Sequence, residues 1–235
     1  MKKNTDYKND ALAALKGNWG KAVLATVIYM AIAYIALGPY MFQTFKFQAA
    51  MTSAGSSMDA EVLLSQVSTL YGYMGLTYLL LIFLIAPLMV GFTNAHRVLL
   101  VQGDREIPTN MYKIATKGYW HKVWGMFLMG VFVFLWSMLF VIPGIIKAFS
   151  YAMTPYILEE HPELTANEAI DHSRAMMKGH KFDLFWLYLS FIGWGILCIF
   201  TLGIGLLWLV PYMQTAQSSF YEDVKADYEA NGGLI

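Results

Sequence analysis

Charge is what this sequence has least of. Only 14% of its 235 residues are Asp, Glu, Lys or Arg, while 57% are hydrophobic, against an apolar share of about 45–50% in soluble domains. That shortage excludes an ordinary water-facing globule and makes a lipid bilayer the expected solvent. The charges also cancel, 16 basic against 16 acidic, so no global excess invites nucleic acid as a partner. With one cysteine, Cys198, neither an internal disulfide nor a cysteine-based metal cluster can form. Zinc-protease, Walker, dinucleotide-binding and nucleophile-elbow motifs are all missing. No Asp or Glu interrupts the apolar runs, where proton and ion relays would place one. These absences leave no catalytic residue, cofactor or metal ligand to name, and the protein is expected not to be an enzyme.

Long apolar runs are what the chain does have. About 20 apolar residues at about 1.5 Å each cross a hydrocarbon core of about 30 Å, and residues 23–42, 74–93 and 123–142 meet that length. The first run is too long for the core of a cleaved signal peptide and should stay as a span. Two further stretches are interrupted midway, by Pro143-Gly144 and by Thr201-Leu-Gly-Ile-Gly205. Each can be one kinked helix or a helical hairpin. Short cytoplasmic loops retain Lys and Arg, and only the hairpin alternative puts every basic residue except Lys46 and Lys147 on one side. The sequence therefore predicts an all-α, polytopic membrane helical bundle with both termini in the cytoplasm. Its six spans form three helical hairpins, over approximately 7–97, 108–160 and 165–222, within one integral membrane domain covering 1–235. Pro143 and Gly144, like Gly203 and Gly205, are the expected structural turns. The segment 145–158 is short for a full crossing and stays open between a crossing and a re-entrant segment.

A signature recurs ahead of each odd-numbered span: Lys16-Gly-Asn-Trp-Gly-Lys21, Lys117-Gly-Tyr-Trp-His-Lys122 and Lys178-Gly-His-Lys181. Glycine suits the position just past a helix end, and lysine suits the negative end of the helix dipole. Short amphipathic helices should precede these signatures on the cytoplasmic side: Tyr7, Ala11 and Leu15 share one face, and so do Ala166, Ala169, Ile170, Ser173 and Met177. Thr165-Ala-Asn-Glu168 fits a capping box that starts the third of them. Each even-numbered span contains a proline, Pro87, Pro155 or Pro211. A stripe of Phe220, Val224 and Tyr228 predicts a C-terminal helix lying along the membrane surface.

For binding, the candidates are cations. Arg174, Lys178, His180 and Lys181 sit beside methionines in a stretch suited to an anionic headgroup layer. Lys147, the one ionisable residue in a span, is placed to snorkel to the outer surface or to meet an anionic lipid. The five histidines, His96, His121, His161, His172 and His180, all fall on the cytoplasmic side but match no ligand spacing.

The segments Ile142-Pro-Gly-Ile-Ile-Lys-Ala-Phe-Ser-Tyr-Ala-Met153, Ser173-Arg-Ala-Met-Met-Lys-Gly-His-Lys181 and Leu189-Ser-Phe-Ile-Gly-Trp194, followed by Pro211-Tyr212 and Phe220-Tyr221, resemble the domain of unknown function 975 family of bacterial integral membrane proteins. The resemblance implies a bacterial cell membrane location and supplies no reaction or catalytic residue. The functional expectation is a non-enzymatic membrane scaffold, accessory or stress and immunity component. Its partners would be the bilayer, anionic lipids and other membrane proteins, with no cofactor. The alternative is a transporter or flippase-like protein for a lipid or amphiphilic peptide, because repeats and broken helices recur in transporters.

Overall fold

The computed structural model describes residues 1–54 and 59–233, and all of its regular structure is helical. Three short helices, α1 (Asn4–Leu15), α5 (Ile107–Thr116) and α9 (Ala166–Met176), alternate with more apolar segments of one or more helices. The first long element is α2 (Trp19–Ala54), followed by α3 (Ala60–Leu80), a π-helical turn (Leu81–Ile85) and α4 (Ala86–Gln102) as one continuous run. After α5 come α6 (Tyr119–Leu139), α7 (Val141–Ser150) and α8 (Thr154–Glu160). After α9 come α10 (Lys181–Leu189), α11 (Ile192–Phe200) and α12 (Leu206–Ala230).

Among the described residues, five stretches are long and apolar enough to cross a membrane: Trp19–Ser53, Ala60–Gln102, Tyr119–Leu139, Val141–Glu160 and Lys181–Phe200. α12 is 25 residues long but apolar only at its start, since Glu222, Asp223, Lys225, Asp227 and Glu229 follow. The first two stretches are much longer than expected. At 36 residues for α2 and 43 for 60–102, they would extend about 54 and 65 Å. No glycine or proline occurs between 43 and 54 to stop α2, so most of the expected outer loop is helix.

Side-chain pairs show how α6 and the α7–α8 segment are related. Gly144 lies against Ser137, the Lys147 Nζ 4.4 Å from the Trp136 ring centre, the Tyr151 ring 6.4 Å from Phe132, and Leu158 against Gly125. As one member of each pair rises in number the other falls, so α7–α8 runs back along α6. The reversal is not at Pro143-Gly144 as the sequence suggested. It occurs at Phe140, whose backbone is extended (φ −159°, ψ 149°). Pro143 instead sits in the first turn of α7, where its missing N–H is not needed. Gly144 permits close approach, since a Cβ there would lie 2.2 Å from the Ser137 Oγ. The second expected turn does fall in place: Gly203 has φ +85°, and Gly205 packs on the Cys198 Sγ. From that turn, α11 and α12 run side by side, with Phe191 and Tyr212 rings 5.0 Å apart.

The repeated signature has one conformation. Gly17, Gly118 and Gly179 have φ of +79°, +62° and +97°, and each closes the short helix before it in the left-handed geometry that favours glycine. The faces of those helices match the predicted stripes: Tyr7, Ala11 and Leu15 are buried in α1, and Ala166, Ala169, Ile170 and Ser173 in α9. Thr165 and Glu168 form the expected reciprocal cap. Other helices of the chain cover the stripes. The Tyr7 ring meets Phe220 at 5.4 Å, and the Ser173 hydroxyl donates to the Ser150 carbonyl at 3.0 Å. The C-terminal stripe behaves in the same way. Rather than turning onto a surface, α12 continues as one helix in which Phe220 and Val224 are fully buried, because α1 offers them an apolar face.

Candidate functional site

Three of the proline-bearing helices, α4, α8 and α12, converge at the end of the bundle that holds the Lys-Gly turns. In α4, Pro87 has no N–H, so the Phe83 carbonyl four residues earlier lacks its helical donor. The preceding π-helical turn accommodates the mismatch, and the Tyr119 hydroxyl, from the second Lys-Gly signature, donates to that carbonyl. In α8, the Pro155 carbonyl accepts from the Asn94 amide of α4 at 2.8 Å. Both arrangements draw the helices together where their charged residues begin.

There, Arg97 of α4 is paired with Glu160 of α8 and with Glu222 of α12, and its side chain is only 13% exposed. Lys225 reaches Glu160 at 2.9 Å. The Tyr221 hydroxyl donates to Glu160, and its ring lies under the Arg97 guanidinium at 5.4 Å. Burial, reinforced by the Glu160 charge, pushes the Tyr221 pKa upward, so the hydroxyl remains a donor. Tyr156 stacks on Tyr221 with centroids 4.4 Å apart. Beside this group, the buried Lys122 is 2.5 Å from Glu159 and also donates to the Ile114 and Lys117 carbonyls at the end of α5. Two cations face two anions in the first group and one faces one in the second, so the layer is electroneutral. It can lock helices together, because each charge already has a partner inside it.

α12 also holds α1. Asp10 accepts from Ser219 at 2.6 Å and from Lys2 at 2.9 Å, and Asp223 accepts from the Tyr7 hydroxyl at 2.6 Å. Burial raises both aspartate pKa values, but these donors outweigh it and hold both carboxyls below the usual range.

A second feature lies deeper in the bundle. A crevice of about 620 Å³ is bounded by α4, α6, α7–α8, α10 and α12. Its apolar wall includes Met89, Met129, Val133 and Phe134, and its polar groups are Thr93, Ser137, Tyr151, Tyr188, Gln214 and Gln217, with no charged side chain.

None of the cations singled out in the sequence belongs to the charged layer. Arg174, Lys178, His180 and Lys181 are gathered around the α9–α10 junction. Arg174 is exposed and 3.1 Å from Asp171, and Lys178 is exposed. His180 Nε2 is 3.2 Å from Asp227. Lys181 borders a small apolar hollow with Ile146, Phe182 and Phe185. Lys147 lies over the rings of Trp136 and of Tyr151, the latter at the edge of the crevice, at 4.4 and 5.9 Å. Arg97, Glu160 and Glu222 were not among the sequence candidates. The available signal was Arg97, a lone cation followed by Val98-Leu-Leu-Val101 within an otherwise apolar stretch.

Residues 138–228 match the model of the family described as Protein of unknown function (DUF975). The matched region starts just before the Phe140 reversal and includes Glu160, Glu222 and Lys225. No curated protein and no solved structure matches the chain.

Proposed function

We propose that this chain, as a member of the DUF975 family, is a non-enzymatic accessory or scaffold component of the bacterial cell membrane. In this reading six spans form three hairpins, with the Lys-Gly turns and both termini in the cytoplasm. The observation that carries it is the electroneutral layer of Arg97, Glu160, Glu222 and Lys225. It links the second helix of each hairpin, and its charges are spent on one another. The one-sided distribution of Lys and Arg supports the orientation. The exposed Lys178, and Arg174 in exchange for its exposed neighbour Asp171, are then available to anionic headgroups or to an acidic partner segment.

Orientation is tested by single cysteines at Thr52 and Ala166 in a Cys198→Ser background, treated with an impermeant thiol reagent on intact cells. Position 52 is expected to label and position 166 to stay protected. Equal labelling of the two removes the six-span arrangement. The accessory role is tested by cross-linking in native membranes followed by purification, where a stoichiometric membrane partner lost on replacing Arg174, Lys178 and Lys181 with Gln is expected. Recovery of the protein alone, with fluorescent lipid moving across liposomes that contain it, would favour the transporter alternative. The crevice between α4, α6 and α12 is the observation on that side.

A further inference from the structure

We infer that the crevice among α4, α6, α7–α8, α10 and α12 is a binding site for an uncharged amphiphile, an acyl chain carrying a hydroxyl-rich head of the monoacylglycerol type.

Three properties define the ligand. The first is size and placement: about 620 Å³ between helices of a bundle is the volume and setting of a small-molecule site. Phe134 and Met89 on its wall are 63% and 38% exposed, so the crevice opens sideways, toward where acyl chains would be. The second is the character of its polar groups. Gln217 and Tyr188 both line the crevice, and the Gln214 Oε1 is sealed from solvent without a partner. Thr93 beside them is almost wholly buried. Hydroxyls and amides grouped in this way can both donate and accept, as a glycerol head requires. In an apolar surrounding an unpaired amide oxygen is unfavourable, and a ligand hydroxyl would relieve it. The third property is the lack of charge. Nothing on the wall neutralises a phosphate or a carboxylate, and burying either without a partner is costly. That excludes the anionic lipids for which the exposed lysines are suited. Gly130 supplies room: a side chain begun there would meet nothing within 4 Å.

A scaffold and a transporter could each hold such a ligand, so the site stands apart from the accessory reading. The test uses the full-length protein in phosphatidylglycerol nanodiscs with a monoacylglycerol that bears a photoactivatable group in its chain. Cross-links are expected on α4, α6 and α12 peptides, displaced by unlabelled monoacylglycerol but not by the same excess of oleate. Gln214→Leu should lower labelling about fivefold, the loss of one hydrogen bond, and Gly130→Phe should remove it by filling the space. Labelling spread over α2 and α3, equal displacement by oleate, or undiminished labelling of Gly130→Phe would each overturn the assignment. If Gly130→Phe does not fold, Gly130→Val and the displacement comparison decide the same question.

Discussion

Arg97 shows how much one side chain can be asked to do. It faces Glu160 and Glu222 from two different helices and caps the Tyr221 ring, and its surroundings are largely shut to water. Removing one member of such a group leaves the opposite charges buried and unbalanced, which costs about 3 kcal/mol. Arg97→Met is therefore expected to lower the melting temperature in detergent substantially. Adding Glu222→Gln should recover part of the loss, because Glu160 still has Lys225. A double variant that melts below the single one would show that the pairs do not act as a group. Glycines carry the opposite kind of burden. Gly118 holds φ +62°, and Gly118→Ala should cost about 1 kcal/mol through backbone strain alone, measurable in the same melting experiment.

At the scale of elements, broken helices are joined by groups that repair what proline removes. The π-helical turn before Pro87 would leave the Phe83 carbonyl bare in an apolar setting were it not for Tyr119. Tyr119→Phe keeps the ring and deletes only the donor. The expected result is a loss of about 0.5–1.5 kcal/mol, the net worth of an ordinary hydrogen bond. Amide exchange at residues 81–86 should rise while α6 is unchanged. Unaltered exchange there would mean that the π-helical turn stands without its external partner. The short helices belong to the same scale. Their stripes were legible because burial on one face imposes a 3.6-residue period whatever lies opposite. Whether lipid or protein covered that face was not legible, since both are equally apolar.

The molecule as a whole is closed by α1 lying on α12. Asp10 and Asp223 make that closure dependent on acidity. Their carboxyls titrate below the usual range when folded, so the stabilisation they contribute is complete above the ordinary aspartate value of about 4. It is lost as the pH falls through their lower folded values. A fluorophore on a cysteine placed at Leu12 should report release of α1 only in that acid range. Asp10→Asn and Asp223→Asn together should release it at neutral pH. Release that begins above about pH 5, beyond the reach of an ordinary carboxyl, would point to other groups.

Composition and periodicity by themselves determined the helical class, the stretches apolar enough to cross a membrane, the Lys-Gly turns and the amphipathic stripes of α1, α9 and the C-terminal segment. Each of these follows from interactions within a few residues, or from a transfer preference summed along one segment. Tertiary structure alone decided that the chain reverses at Phe140 rather than at Pro143-Gly144, because close packing against Ser137, not local turn preference, selected that glycine. It alone brought Arg97, Glu160 and Glu222 together. Charges this far apart in sequence have no local pattern, and they meet only because α4, α8 and α12 pack side by side where Arg97, Glu160 and Glu222 fall.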